Sequence, residues 1–428
     1  MDSKLVEIQN PWWQNPAHIE DDIQLKILKS DFYGERAEFH SLPLVAPNFH
    51  ILRGPRQVGK TTLLKQWIRR LLLEQKIPAE NIIFLSCEGI ESFRELQESL
   101  AYWLQNKKEN FTYLFLDEIS FIPEWQRAIL WLINVGLLEK SCLVVTGSNA
   151  RDLQESSERF PGRRGGGLDL ALYPFDLSDY ENIRCFQEKT SAELLEIFLA
   201  TGGFPHAIRD WATWGYVTDE TYITYKNWIL GDALRFGFAE ETLKHIFFRI
   251  AETLCSRMTW PTLIEGTPVK SHETALQYVE HLHEAFLCHL HYCYDPEKKG
   301  PAFQKARKIY FIDPLLYHLA YAWKKNIVNI ATWVKSFLED SENKGKLLED
   351  LFVTGAAHQL SSLYYWYSTK DKKEVDLVIP REKDLNLYEI KWSPAPSFFA
   401  MGQAVKMLDA SSLSDFLKDL KNSKLKQV

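Results

Sequence analysis

The stretch NFHILRGPRQVGKTTLLKQWIRRLLLEQ, residues 48–75, runs from an apolar segment through a glycine-bracketed turn into an amphipathic helix. Its centre, GPRQVGKT, fits the pattern G-x-x-x-x-G-K-[ST] in full, from Gly54 to Thr61. The glycines let the backbone wrap closely round an anion, so that its N–H groups and the helix N-terminus converge on phosphate. The loop expected to cradle a nucleoside triphosphate is therefore Gly54, Pro55, Arg56, Gln57, Val58, Gly59, Lys60, Thr61 and Thr62. Lys60 is placed to bridge the β- and γ-phosphates of ATP, and the Thr61 hydroxyl to ligate Mg²⁺.

The surrounding pattern supplies the fold. The apolar runs FHILRG, NIIFLSC, YLFLDE, CLVVTGS and DLALYPF alternate with helix-length segments such as TTLLKQWIRRLL and EWQRAILWLINVGLL. This predicts an α/β fold, a parallel sheet covered by helices on both faces. Asp117 and Glu118 fall at the end of one strand, where an open parallel sheet faces its ligand crevice. Asp117 suits the metal shell, and Glu118 suits a general base for an attacking water. The next strand ends in Thr146, Ser148 and Asn149, polar groups placed to sense the γ-phosphate or to orient that water. The loop RFPGRRGGG carries Arg159, Arg163 and Arg164. Read as flexible, it could reach a neighbouring subunit's phosphates as an arginine finger, although the sequence does not separate Arg163 from Arg164. A solvated basic loop or a nucleic-acid contact is the competing reading.

The bulk numbers set bounds. A chain of 428 residues, 46% hydrophobic, holds several domains with real cores. A net charge of −7 argues against a protein coated in nucleic acid but leaves room for a local basic patch. The amino terminus has no secretion-signal core, no run approaches a membrane span, and the six cysteines lack a framework spacing, so a cytoplasmic location is expected. His289, His291 and Cys293 alternate on one strand, but no four-ligand zinc spacing accompanies them.

Residues 241–325 read as three helices and a hairpin, a winged-helix pattern. The third helix exposes Glu273, Glu280 and Glu284, which oppose phosphate and argue against groove reading. The hairpin carries Lys298, Lys299, Lys305, Arg307 and Lys308, a basic set suited to sequence-blind contact with the DNA backbone. After residue 346, Glu349 on a helix, Asp376 on a strand, and Glu389 and Lys391 alternating on another form a second constellation. Three carboxylates there could hold a metal through oxygen, with the lysine orienting water. The order of helix acid, strand Asp and Glu-x-Lys resembles the PD-(D/E)XK nuclease core.

Taken together, NPWW, GPRQVGKTT, LFLDEIS, EWQRAI, VVTGSNA, PGRRGG and ATGGFPHAI resemble the prokaryotic AAA-type ATPases that carry a C-terminal domain of the DUF4143 class. The resemblance covers nearly the whole chain and implies an ATPase. It further implies that Pro205, in Gly202-Gly203-Phe204-Pro205, packs on adenine, although the same four residues are also an ordinary helix breaker. The expected organisation is a lead segment (1–45), an AAA-type core (46–178), a helical lid (179–240), a winged helix (241–325), a linker (326–346) and a PD-(D/E)XK-like domain (347–428). The expected function is Mg²⁺-dependent ATP hydrolysis coupled to sequence-nonspecific DNA binding or remodelling by a homo-oligomeric ring. The competing expectation is an ATP-gated signalling or defence switch whose C-terminal domain is an effector nuclease or a docking platform.

Overall fold

The computed structural model describes residues 3–425, apart from 106, 108–110, 149–159, 161 and 382–383. Asn149 and Arg159 thus lie outside the described residues. The chain divides into two compact units, Met1–Tyr173 and Pro174–Val428.

In the first unit five strands, β1 (Asn48–Arg53), β2 (Ile82–Ser86), β3 (Thr112–Asp117), β4 (Ser141–Gly147) and β5 (Asp169–Ala171), form one sheet in the order β2-β3-β4-β1-β5. Every pairing is parallel. Side chains alternate between the two faces, and both faces are buried, which is why the strands read as unbroken apolar runs. Ile51, Leu85, Leu114, Leu116 and Val145 enter one core with the helices Phe93–Gln105 and Trp125–Asn134. Leu52, Phe84, Phe115 and Val144 enter the other, with Leu63, Leu64 and Trp67 of the helix Lys60–Arg69.

β2 is a sheet edge, and side chains of the lead segment close it. Gln9 Oε1 accepts from Ser86 N at 2.7 Å, and Asn10 both accepts from Phe84 N (2.7 Å) and donates to Phe84 O (2.9 Å). The indoles of Trp12 and Trp13 donate to Ile82 O. An edge with its backbone groups satisfied in this way offers no template to another strand. The QNPWW stretch is therefore part of the parallel sheet's construction.

The second unit begins with the short helices Leu177–Tyr180 and Arg184–Phe186, followed by Ser191–Thr201, Pro205–Trp214 and Asp219–Arg235. The helices Glu240–Glu252, Trp260–Ile264 and His272–Glu284 follow, and then strands β6 (Cys288–Asp295), β7 (Gly300–Pro301) and β8 (Arg307–Phe311). After the helices Pro314–Lys325, Ile330–Phe337 and Ser341–Gln359 come β9 (Tyr364–Ser368), β10 (Lys373–Pro380), β11 (Leu385–Ile390), β12 (Phe398–Ala400) and β13 (Gln403–Leu408). The helix and hairpin order expected for 241–325 is present. One difference stands out: β6 pairs with β9 in parallel, Tyr292 opposite Tyr364, so the hairpin and the C-terminal strands share a single eight-stranded sheet. Residues 326–346, read as a linker, hold the helix Ile330–Phe337 and the first turns of the next one. Among the described residues no helix is long and apolar enough to cross a membrane.

Candidate functional site

The phosphate loop leaves β1 at Arg53 and turns on residues that tolerate its backbone. Gly54 has φ +152, and a Cβ there would lie 2.1 Å from Leu172 O, so no side chain fits. Gln57 (φ 62) and Gly59 (φ 101) complete the wrap, and Gly59 caps the helix Lys60–Arg69. Val58 is buried and pins the loop to the core. Arg36 of the lead segment donates to Val58 O at 3.0 Å and to Tyr173 O at 2.8 Å. Nothing in the sequence marks Arg36 for this role, because the contact joins residues 22 positions apart.

Lys60, Asp117 and Glu118 come together as their positions in the sequence require. Lys60 Nζ donates to Gly54 O (3.0 Å) and Pro55 O (2.9 Å) and pairs with Glu118 Oε1 at 3.1 Å. Thr61 Oγ1 donates to Asp117 Oδ2 at 2.7 Å. β4 lies between β1 and β3, and from it Thr146 Oγ1 donates to Asp117 Oδ1 at 2.6 Å and accepts from Glu118 N at 2.8 Å. Thr146 thus fixes the Asp117 carboxylate and the Glu118 backbone relative to each other. Ser148, just past the end of the same strand, is buried. Burial pushes the Asp117 carboxyl above its usual range, while the two threonine hydroxyls pull it back. Glu118 sits in a left-handed conformation (φ 52), and its Oε2 is buried with no hydrogen-bond partner. A buried carboxylate oxygen without a partner costs free energy unless a ligand or water engages it. The loop, the Thr61–Asp117 pair and this free oxygen fit a bound nucleotide with its Mg²⁺.

The arginine-bearing loop is placed differently from the expectation of a flexible arm. Its glycines press against the start of β1: a Cβ on Gly165 would lie 1.8 Å from Pro47 O, and one on Gly167 1.9 Å from Phe49 O. Gly166 N donates to Asn48 Oδ1. The run of glycines thus serves close packing. Arg164 and Arg163 separate clearly. Arg164 donates from Nε to Phe49 O (3.1 Å) and from Nη2 to Asp169 Oδ1 (2.5 Å), and stacks over the Phe49 ring. It is tied to its own sheet. Arg163 is exposed. Both sit by the amino end of β1, roughly 16 Å along the strand from the phosphate loop, so neither reaches the loop of its own chain.

Pro205 opens the helix Pro205–Trp214. The glycines before it have a structural cause of their own. Asp313, fully buried, accepts from Gly203 N at 2.6 Å and from Leu315 N at 2.9 Å. A Cβ on Gly202 would lie 1.8 Å from its Oδ1, and one on Gly203 1.7 Å from Phe175 O.

In the C-terminal part, Glu349, Asp376, Glu389 and Lys391 gather, joined by two groups that the sequence did not single out, Glu374 and Tyr310. At their centre is Lys308. Its Nζ lies 2.9 Å from Glu349 Oε1, 2.6 Å from Glu374 Oε1 and 2.9 Å from Asp376 Oδ1, and its side chain is 1% exposed. Tyr310 OH donates to Glu349 Oε1 at 2.6 Å, Ile390 N to Asp376 Oδ2 at 3.0 Å, and Lys391 Nζ to Glu389 Oε1 at 2.7 Å. Burial and the neighbouring Asp376 charge push Glu349 to about 6 and Glu389 to about 7. Lys308 is therefore no DNA contact, since β8 turns it inward. Arg307 is likewise buried, donates to Phe303 O and Lys305 O, and stacks on Trp260. Of the five basic residues, Lys298, Lys299 and Lys305 remain at the surface.

His291 is buried, with Nε2 at 3.0 Å from Asp376 O, and burial lowers its basicity to about 3. Among the described residues no group of three or more His, Cys, Asp or Glu is arranged to hold a metal ion.

Residues 46–181 match the family model described as AAA domain, about a third of the chain. Those residues are an AAA-type ATPase core, in accord with the parallel sheet and phosphate loop. No curated protein matches the chain. Solved structures resemble it at a distance. Orc1 of Aeropyrum pernix in complex with DNA is 14% identical with a TM-score of 0.32, over 73% of this chain and 96% of that one. A RuvB variant of Thermotoga maritima is 16% identical with a TM-score of 0.32, over 69% and 90%. The replication initiator DnaA bound to AMPPCP and single-stranded DNA is 16% identical with a TM-score of 0.31, over 55% and 82%. The assignment of the core rests on the domain match and on the site itself.

Proposed function

We propose that the chain hydrolyses ATP at the Gly54–Thr62 loop and that turnover is coupled to DNA. The observation that carries hydrolysis is Thr146 holding Asp117 and Glu118 in fixed relation opposite Lys60 and Thr61. Mg²⁺, held by Thr61 and Asp117, would neutralise phosphate charge when bound. Lys60 exchanges its carbonyl and Glu118 partners for the β- and γ-phosphates. Glu118, released from Lys60, then accepts the proton of the attacking water. Pro205 is the proposed adenine contact.

Arg163 is the proposed arginine finger, acting on a neighbouring copy in a ring. Its exposure, and its place at the far end of β1 from its own loop, support action in trans, whereas Arg164 is committed to Phe49 and Asp169. Mixing Arg163→Ala with Lys60→Ala subunits should recover turnover that neither variant has alone. No recovery from mixtures that assemble normally would give Arg163 a different role.

DNA contact is assigned to Lys298, Lys299 and Lys305, a sequence-blind set. Their joint replacement by Ala should lower the salt slope of DNA binding by up to ~0.9 per lost phosphate contact, equally for all sequences. An unchanged slope would remove the hairpin from the interface. The coupling itself is tested by ATPase rates with and without single-stranded, duplex and branched DNA. A rate indifferent to all three would favour the ATP-gated switch, in which the second unit is a docking platform.

A further inference from the structure

The acid cluster of the second unit is gathered round a cation, and that cation belongs to the chain itself. We propose that Lys308 is the resident cation of this nuclease-like centre: its ammonium takes the position of a divalent ion, excludes that ion and leaves the centre silent. The inference rests on the cluster's geometry and not on the ATPase reading, so either can fail without the other.

Lys308 Nζ lies 2.6–2.9 Å from one oxygen each of Glu349, Glu374 and Asp376. Mg²⁺ bound by the same oxygens at ~2.0–2.1 Å would have to stand where the ammonium stands. Two cations packed together in a buried site repel strongly, so occupancy is exclusive.

Asp376 is committed on both oxygens, to Lys308 and to Ile390 N. Glu374 is committed on both, to Lys308 and to Arg257 Nε at 3.2 Å. Glu349 Oε1 serves Lys308 and Tyr310 together. Glu389 Oε1 serves Lys391, and its buried Oε2 is left without a partner. Two oxygens remain, Glu349 Oε2 and Glu389 Oε2, and with both Asp376 oxygens engaged they do not make a second divalent site beside Lys308.

Lys308 does not come from the segment that carries the acids. It comes from β8, which reaches them because β8 pairs with β6 and β6 with β9. The strand period puts Lys308 and Tyr310 on one face, and both bind Glu349. Burying an ammonium is costly unless several carboxylates meet it, and burying these carboxylates is costly without a cation. Each side therefore requires the other, and the cluster joins the hairpin to the C-terminal strands.

The test is Mn²⁺ binding to the full-length, nucleotide-free protein, read from the free-Mn²⁺ signal in electron paramagnetic resonance and from the melting temperature. Wild type should bind no Mn²⁺ at the cluster and should gain no stability from it. Lys308→Met should bind one Mn²⁺ per chain at least ~10-fold more tightly than wild type, by release of the exclusion, and should be stabilised by it. Adding Asp376→Asn to Lys308→Met should abolish both effects, and Lys308→Arg, which keeps the charge, should behave as wild type. If Lys308→Met does not fold, Lys308→Gln, which keeps hydrogen bonding without charge, gives the same reading. The proposal is overturned if wild type binds Mn²⁺, or nicks DNA with it, in a way that Asp376→Asn removes. It is equally overturned if a folded, uncharged Lys308 variant takes up no metal.

Discussion

Lys60 and Lys308 each sit beside carboxylates, and the two places differ in what the lysine leaves available. At the phosphate loop, Lys60 is held by two backbone carbonyls and one carboxylate, and Glu118 keeps a buried oxygen without a partner. Those contacts can be exchanged for phosphate with little loss, because the loop's own N–H groups and helix end attract the same anion. In the second unit, Lys308 is met by three carboxylates and has no comparable alternative. The residue types are nearly the same in the two places. The difference is whether the lysine's partners are those of a waiting site or of a finished ion-pair network. Motif matching alone does not make that distinction.

The comparison can be broken most decisively through turnover. Glu118→Gln should lower the rate of ATP hydrolysis by ~10²–10⁴-fold while ATP still binds, since only proton acceptance is lost. Asp376→Asn should leave ATP hydrolysis unchanged. A fall in hydrolysis with Asp376→Asn comparable to that with Glu118→Gln would mean that the two clusters are not independent.

Exchanging the lysines sharpens the contrast. Lys308→Ala should destabilise the protein by about 3–5 kcal/mol, the cost of stripping one partner from a buried ion pair, and should leave ATP affinity alone. Lys60→Ala should do the reverse. It should weaken ATP binding by roughly 10- to 100-fold, as expected for a lost charge-assisted bond of about 1.5–3 kcal/mol, with a smaller effect on melting. Chemical denaturation and equilibrium nucleotide binding on both variants check this. The comparison fails if Lys308→Ala melts like wild type.

The smallest effect lies in pH. Glu389 is raised from 4.5 to about 7 by burial and by the Asp376 charge. Between those values the folded state keeps a proton that the unfolded chain has released, so this group's contribution to stability falls as pH rises from about 4.5 to 7 and is level above that. In Glu389→Gln that contribution disappears, so the variant's stability relative to wild type should improve across this window. Melting curves at closely spaced pH values check it. A relative stability that does not change with pH would show that Glu389 titrates normally.

What could be read in the sequence followed from distance along the chain. The phosphate loop lies within one strand–turn–helix, and the acid pair lies at the end of one apolar strand, so local pattern and strand direction were enough for Lys60, Thr61, Asp117 and Glu118. Arg163 and Arg164 could not be told apart, because their fates depend on backbone contacts with Phe49 and Asp169. Lys308 was misread because its neighbours in QKARK are basic and charged runs are usually solvated. The period of two in RKIYF, which groups Lys308 with Tyr310, was the available signal. The role of Gly202 and Gly203 depends on Asp313, some 110 residues further on, and had no local trace. The shared sheet was equally hidden, since the β6–β9 pairing joins segments whose separate patterns each suggest a complete module.

The central claim is that the first cluster is the working one. It is tested most directly by phosphate release from ATP with Mg²⁺, comparing wild type with Glu118→Gln at saturating nucleotide and with binding measured on the same samples. The expected result is hydrolysis by wild type, together with full occupancy and hydrolysis slowed by ~10²–10⁴-fold in Glu118→Gln. Hydrolysis by Glu118→Gln at the wild-type rate, or saturated wild type that releases no phosphate with or without DNA, would contradict it.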